Sequence, residues 1–327
     1  MKTRIYPNYF CEFKRIIRII FVTFFVVLFC LPLSAINEEE IFKEYLWNEV
    51  NILTPPQRPR IGLVLGGGGA RGLAHIGVLK ILREENIPID IIAGTSVGAL
   101  IGGLYAAGVS VEKLERLIED IGWEKITNLS AEAVVKLLVA EKLLSTEKME
   151  KYVALQIGNK RFDELKIPFA CVATDLKTGE KIIFREGLVA PAVRASATIP
   201  GVFQPVEYRQ RYLVDGGLVD NLPVEVAKIL GADIIIAVSV GADFTQYSTA
   251  NVLLTLNQAI YIQGEVLIQE QLKKANLVIH PQVKDVTAIE LWRARECIDA
   301  GITATRKILP QIKDLIMEQT YTRLFLQ

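Results

Sequence analysis

The chemistry in this sequence centres on Ser96, which stands in the pentapeptide Gly94-Thr95-Ser96-Val97-Gly98 directly after an apolar run. A G-x-S-x-G segment between a strand and a helix forms a sharp turn that exposes the serine hydroxyl for nucleophilic attack. Gly94 and Gly98 suit this turn because a Cβ at either position would meet neighbouring backbone. The pentapeptide therefore predicts a serine nucleophile at the start of a helix.

A glycine-rich run, residues 66–72, lies upstream of the serine and follows another apolar run. Consecutive backbone N–H groups at a helix start form an anion site, which in acyl transfer serves as the oxyanion hole. A dinucleotide loop is one alternative, but it needs an acid after the second strand; a P-loop needs Lys-Ser/Thr after its last glycine. Neither is present, so an oxyanion loop is favoured over a nucleotide loop or a purely structural turn. The candidate residues are Gly67, Gly68, Gly69, Ala70, Arg71 and Gly72.

A proton acceptor for Ser96 comes from one of two places. Asp215, in the turn Asp215-Gly216-Gly217, could accept the proton directly, since burial raises an aspartate pKa into the useful range. Alternatively, Ser96, Asp215 and His280 stand in the chain order of a hydrolase triad. His280 is followed by proline and lies in no motif, so the dyad is favoured.

These blocks together resemble the patatin-like phospholipase family. The resemblance rests on the glycine run 67–72, the pentapeptide 94–98, the turn 215–217 and a fourth block, Arg194-Ala195-Ser196-Ala197-Thr198-Ile199-Pro200-Gly201-Val202-Phe203. It implies a three-layer α/β/α fold with a mostly parallel central sheet, Ser96 as nucleophile and Asp215 as proton acceptor. It also implies a glycine-loop oxyanion hole and no metal or other cofactor.

The resemblance further implies a substrate class, fatty-acyl esters of phospholipids or lysophospholipids drawn from membranes. A neutral-lipid esterase and a catalytically inactive lipid-binding protein are the alternatives. Head group, acyl length and oligomeric state do not follow from the sequence.

Alternating strands and helices must position these motifs. The patterns predict strands at 61–65, 89–93, 167–175, 181–184, 234–240 and 277–279, with helices between them and a last helix over 288–309. Strands that alternate with helices indicate a single α/β domain from about residue 60. We expect the hydrolase core over residues 61–228 and a continuation of the same domain over 229–327. A helix at 131–144 is interpreted as core packing or as a lid on a membrane surface.

The charge balance argues against nucleic acid as a partner, and the N-terminal residues indicate an exported protein. The 37 basic and 37 acidic side chains of the 327 residues balance, so nucleic acid is not an expected partner. Basic residues up to Arg18 precede an apolar run, 19–33, and small residues Ser34 and Ala35. Residues 1–35 are therefore interpreted as a signal peptide or a membrane anchor, with a cleaved signal peptide favoured. A polar helix and a proline-rich linker are expected over 36–60. We expect a periplasmic or envelope-associated protein.

Overall fold

Eight strands of the described residues join into one sheet. The computed structural model describes residues 38–119, 144–241, 252–283, 285–288 and 290–325. The strands run in hydrogen-bonded order β5-β6-β3-β2-β1-β7-β8, with β4 on β3. Their bounds are β1 (Ile61–Leu65), β2 (Ile91–Thr95), β3 (Phe169–Asp175), β4 (Lys181–Phe184), β5 (Val206–Tyr208), β6 (Arg211–Asp215), β7 (Ile234–Val238) and β8 (Leu277–Ile279).

The centre of the sheet is parallel and its strands are buried. β1 pairs in parallel with β2 and β7, and β2–β3 and β7–β8 are also parallel. β4, β5 and β6 are antiparallel additions. Every residue of β1, β2 and β7 is buried, as expected for parallel strands that are covered on both faces.

Helices cover both faces of the sheet, which confirms the predicted three-layer α/β/α arrangement. On one face, α3 packs so closely that a Cβ at Gly102 would lie 3.0 Å from Ile92 and 3.3 Å from Leu65. On the other face, residues of α7 and α8 join a core cluster with Val64, Ala93 and Ala170. The helices are α1 (Glu38–Asn51), α2 (Ala74–Glu84), α3 (Val97–Ala106), α4 (Val111–Glu119), α5 (Glu147–Ile157), α6 (Val189–Ser196), α7 (Val224–Ile229), α8 (Val252–Leu272) and α9 (Ala294–Phe325).

The last helix differs from its prediction because it continues through Pro310 to Phe325, whereas the pattern predicted an end at residue 309. Proline inside a helix loses a hydrogen bond and costs about 3 kcal/mol. Beyond the proline, Ile312 and Ile316 are fully buried. Each such side chain contributes about 1.5–3 kcal/mol, so burial of the following turns offsets the cost.

Two predicted segments fall partly or wholly outside the described residues. The N-terminal segment 1–35 and all but the last residue of the helix predicted at 131–144 are not described. In helix α1, the side chains of Ile41, Phe42 and Tyr45 are exposed. No helix in the described ranges has the length and apolar character needed to cross a membrane.

Candidate active site

Ser96 lies at the junction of β2 and α3, on a strained turn. Its φ is 57° and its ψ is −125°, a conformation that L residues rarely adopt. Helix α3 begins directly after it, and a Cβ at Gly98 would collide with the carbonyl of Leu65 at the end of β1. The backbone N–H of Ser96 donates to Ser196 Oγ at 3.0 Å. The sequence thus places a serine where the chain must turn sharply, and neighbouring elements hold that turn.

Strand β3 aligns Ser96 with Asp215. Val172 pairs with Thr95 of β2 on one side and with β4 on the other. The next residue, Ala173, also pairs with β4, and its opposite side pairs with Asp215 of β6. β2 and β6 therefore lie along the same edge of β3, where they run in opposite directions and meet end to end. This arrangement brings Asp215, the last residue of β6, close to Ser96, the residue that follows β2.

Asp215 lies beside Ser96 and is held by its surroundings. Both side chains line one pocket, the Ser96 hydroxyl lowers the pKa of the Asp215 carboxyl group as a hydrogen-bonding neighbour, and Gly217 N–H donates to Asp215 Oδ1 at 2.8 Å. The Asp215 main chain is fixed by Thr198 O and by Thr174 Oγ1. Burial raises the pKa of Asp215 to about 6, against the lowering effect of the two hydrogen bonds. An aspartate with this pKa is ionised at neutral pH and accepts a proton readily.

The glycine loop offers fewer oxyanion donors than the six residues that the sequence suggests. Gly67 N–H donates to Asn221 O at 3.1 Å, and Ala70 N–H donates to Ala288 O at 2.8 Å. The loop enters a 3-10 turn at Gly69. Within the described ranges, the N–H groups of Gly68 and Gly69 form no hydrogen bond, as expected for the first residues of a helix.

Arg71 does not reach outward from the loop. It is buried, and its guanidinium donates to the carbonyls of Val240 at 3.3 Å and Val286 at 3.1 Å. The sequence suggested either an attraction for an anionic head group or a solvated side chain. The observed role is different: Arg71 ties two loops to the base of the site, because a buried guanidinium needs acceptors.

The two histidines occupy different places, and neither contacts Ser96. His75 is fully buried in α2, and its Nε2 lies 2.8 Å from the Gly66 carbonyl. Burial lowers the pKa of His75 to about 4, so its ring is neutral and donates to that carbonyl. His280 is exposed beyond β8, and β1 and β7 separate that strand from β2. His280 is thus not positioned as a triad base.

An ion pair between an exposed lysine and a buried carboxylate fixes the loop that follows Asp215. Lys181 Nζ on β4 donates to Asp220 Oδ2 at 2.9 Å, and the Asp220 side chain is fully buried. Thr95 Oγ1 donates to the Asp220 carbonyl at 2.8 Å. Asp220 Oδ1 finds no partner in the described part of the chain. The pair therefore connects β4, the nucleophile strand and the acid loop.

Several supporting residues were not predicted as site residues from the sequence. Ser196 and Thr198, which hold the main chain of the two motifs, belong to the fourth resemblance block, so that block was the available signal. Asn221 and Lys181 carry no recognisable pattern. Asn221 lines the pocket beside Ser96, and its role follows from three-dimensional contacts only.

Two pockets meet at Ser96. The main pocket has a volume of about 850 Å³ including its open mouth, and it is lined by Ser96, Asp215, the glycine loop and Glu265. The second, the apolar pocket, has a volume of about 610 Å³ including its open mouth, and it shares Gly69, Ser96 and Ile199 with the first. Its other lining residues are apolar: Leu73, Val97, Leu100, Ile118, Met149, Ala197, Phe203 and Leu291. An ester at Ser96 can thus extend a chain into one pocket and a polar part into the other.

Comparison with known proteins gives a family match over the region of the site. The family model of patatin-like phospholipases matches residues 63–228. An uncharacterized NTE family protein of Mycobacterium tuberculosis is 43% identical over 185 residues, which cover 55% of this chain and 49% of the relative. Human patatin-like phospholipase domain-containing protein 6 is 35% identical over 193 residues, 58% of this chain and 14% of the relative. The chain spans about half the length of the mycobacterial relative and a smaller part of the human one.

Solved structures with a similar chain course include human GIVD cytosolic phospholipase A2, with a TM-score of 0.48 and 12% identity over 88% of this chain and 65% of that one. VipD from Legionella pneumophila has a TM-score of 0.46 and 14% identity, over 80% and 67% of the two chains.

The family model covers half of the sequence and includes the glycine loop, Ser96 and Asp215. This chain belongs to the patatin-like phospholipase family.

Proposed function

We propose that this protein hydrolyses fatty-acyl esters of phospholipids or lysophospholipids through a Ser96–Asp215 dyad. The observation that carries the proposal is the placement of the Ser96 hydroxyl beside the buried Asp215 carboxylate, whose pKa it lowers, at the junction of an apolar pocket and a wider one. Relatives named as phospholipases and a lysophospholipase support the substrate class.

The reaction proceeds in two halves. Ser96 Oγ attacks the ester carbonyl carbon while its proton passes to Asp215, and the Gly68 and Gly69 N–H groups bind the developing oxyanion. The carbon–oxygen bond to the leaving alcohol then breaks, and Asp215 returns the proton to that oxygen. Water attacks the acyl-enzyme with Asp215 again as proton acceptor, the fatty acid leaves, and Ser96 regains its proton.

The acyl chain lies in the apolar pocket in this proposal. Each CH₂ that leaves water contributes about 0.8 kcal/mol. Apart from Ser96, the side chains that line the apolar pocket are hydrocarbon or thioether. The alcohol part then lies in the main pocket, which opens to solvent and holds Asn221 and Glu265. Longer acyl chains should therefore raise kcat/KM until the apolar pocket is filled.

The test compares fatty-acid release from phosphatidylcholine, lysophosphatidylcholine and diacylglycerol, each presented in detergent mixed micelles, by wild type, Ser96→Ala and Asp215→Asn. Each substitution should remove most activity, and the double variant should be little worse, because the residues act as one unit. His280→Ala is the matched control and should keep near-normal rates. A loss with His280→Ala as large as with Ser96→Ala would contradict the dyad.

The same assay separates the alternatives. Faster release from diacylglycerol than from both phospholipids would indicate a neutral-lipid esterase. Vesicle binding without fatty-acid release or labelling by a serine-directed phosphonate would indicate an inactive lipid-binding protein. In the described ranges, no group of three His, Cys, Asp or Glu side chains could hold a metal, and we expect EDTA to leave the rate unchanged.

We also propose that the N-terminal segment exports the protein. The supporting observations are the basic residues up to Arg18 and the apolar run 19–33 that follows them. Protease protection in intact bacteria, lost when the outer envelope is opened, tests this. A product starting near residue 36 would indicate cleavage, an intact Met1 in membranes would indicate an anchor, and a soluble cytoplasmic product would contradict both.

A further inference from the structure

Asn221 places an unused carboxamide beside the nucleophile. Its side chain lines the main pocket. A Cβ at Gly67 would collide with Asn221 Oδ1 and would lie 3.1 Å from Ser96 Cβ. The space left by the missing Gly67 side chain is therefore bordered by both the Asn221 carboxamide and Ser96.

The main chain of Asn221 is held by a hydrogen bond to the glycine loop, whereas its carboxamide is not held in this way. The Asn221 carbonyl accepts the Gly67 N–H at 3.1 Å, and the preceding residue is held by Lys181 and Thr95. Within the described ranges, the carboxamide itself forms no hydrogen bond. A side-chain amide carries two donor hydrogens and an acceptor oxygen, and a turn about its last torsion exchanges them. Its donors are thus available to a ligand in the pocket.

We propose that the Asn221 carboxamide donates a hydrogen bond to the oxyanion of the reacting ester and so completes the hole formed by Gly68 and Gly69. This inference rests on the proposed function, since it concerns the reaction at Ser96. The position matches the chemistry: a donor beside the nucleophile and the glycine loop can reach the oxygen on which charge develops.

A neutral donor suits this site better than a cation. A cation beside Asp215 would stabilise its ionised form and lower its basicity. An amide strengthens binding of the oxyanion through a dipole alone. Arg71, a cationic residue that lines the same pocket, is tied by two carbonyl acceptors.

The test uses the full-length protein and the variants Asn221→Ala and Asn221→Asp, with a soluble p-nitrophenyl ester and a serine-directed fluorophosphonate. Loss of one oxyanion donor lowers kcat by about 10²–10³-fold in other hydrolases, so we expect at least a tenfold fall with KM nearly unchanged. The fluorophosphonate inactivation rate should fall in parallel. Asn221→Asp keeps the shape but loses both donors, and should not restore the rate.

Asn276→Ala is the matched control, because Asn276 Oδ1 accepts the Ile235 N–H at 2.8 Å in the sheet. It should lower the melting temperature and leave kcat near wild type, whereas Asn221→Ala should leave the melting temperature nearly unchanged. An Asn221→Ala enzyme with kcat within about twofold of wild type, or with a change in KM alone, overturns the inference. Activity that survives Ser96→Ala would instead overturn the proposed function.

Discussion

Replacing Asp215 by Asn should abolish activity and, at neutral pH, stabilise the fold. Burial raises the pKa of Asp215 to about 6, so the buried carboxyl group is still ionised at neutral pH. Moving an aspartate pKa from about 4 to about 6 costs the ionised form about 3 kcal/mol in the folded state. Asparagine has no such cost, and its carbonyl oxygen still accepts the Gly217 N–H.

The sign and the pH range follow from linkage. The folded protein holds the Asp215 proton more tightly than the unfolded chain, so stability is lost as pH rises from about 4 to 6. The variant should therefore gain about 0.6 kcal/mol over wild type at pH 4 and about 3 kcal/mol at pH 7.5, as upper values.

Urea unfolding at the two pH values, followed by circular dichroism, measures this difference. Asp163→Asn is the control: its side chain is 74% exposed, and we expect an effect within about 0.5 kcal/mol at both pH values. A stability difference that does not change with pH would refute the reasoning, as would a variant less stable than wild type at pH 7.5.

Three further predictions concern the base and its supports. For a soluble ester, kcat/KM should be half-maximal near pH 6 and fall about tenfold per pH unit below it. His280→Ala should leave this acidic limb of the pH profile unchanged. Loss of the limb in that variant would indicate that a histidine is the base. Lys181→Met should cost about 1–3 kcal/mol in urea unfolding by leaving the buried Asp220 carboxylate without its partner. Adding Asp220→Asn should recover much of this loss, and no recovery would contradict the pairing. His75→Phe should cost about 1–3 kcal/mol by leaving the Gly66 carbonyl unsatisfied and should slow phosphonate labelling, whereas an unchanged labelling rate would show that this contact does not position the loop.

The strands were predicted well from the sequence where local patterns determine their bounds. The strand 61–65 has the predicted bounds, and the parallel core follows from alternating apolar runs. β2 was predicted at 89–93 but spans Ile91–Thr95. Its end depends on pairing with Leu65 and Val172, and such tertiary pairing has no local signal.

The details of the site depend on contacts between distant segments. The carbonyls of Asn221 and Ala288 accept the N–H groups of Gly67 and Ala70, and these bonds determine which amides of the glycine loop remain available. The ion pair between Lys181 and Asp220 joins a strand to a loop that no motif connects. The motifs predict Ser96 and Asp215 as the catalytic pair, but only packing determines which neighbours hold them and how far the pKa of Asp215 is raised.

The end-to-end meeting of β2 and β6 on β3 has a consequence for how activity develops during folding. The nucleophile turn needs β1, β2 and α3, which are close in sequence, whereas the acid arrives only when β6 docks beyond the end of β2. Contacts of long sequence separation form slowly because loop closure costs entropy before they contribute. We therefore expect the proposed esterase activity, after dilution from denaturant, to recover only when this single antiparallel strand has docked, at a stage when helical circular dichroism has already returned.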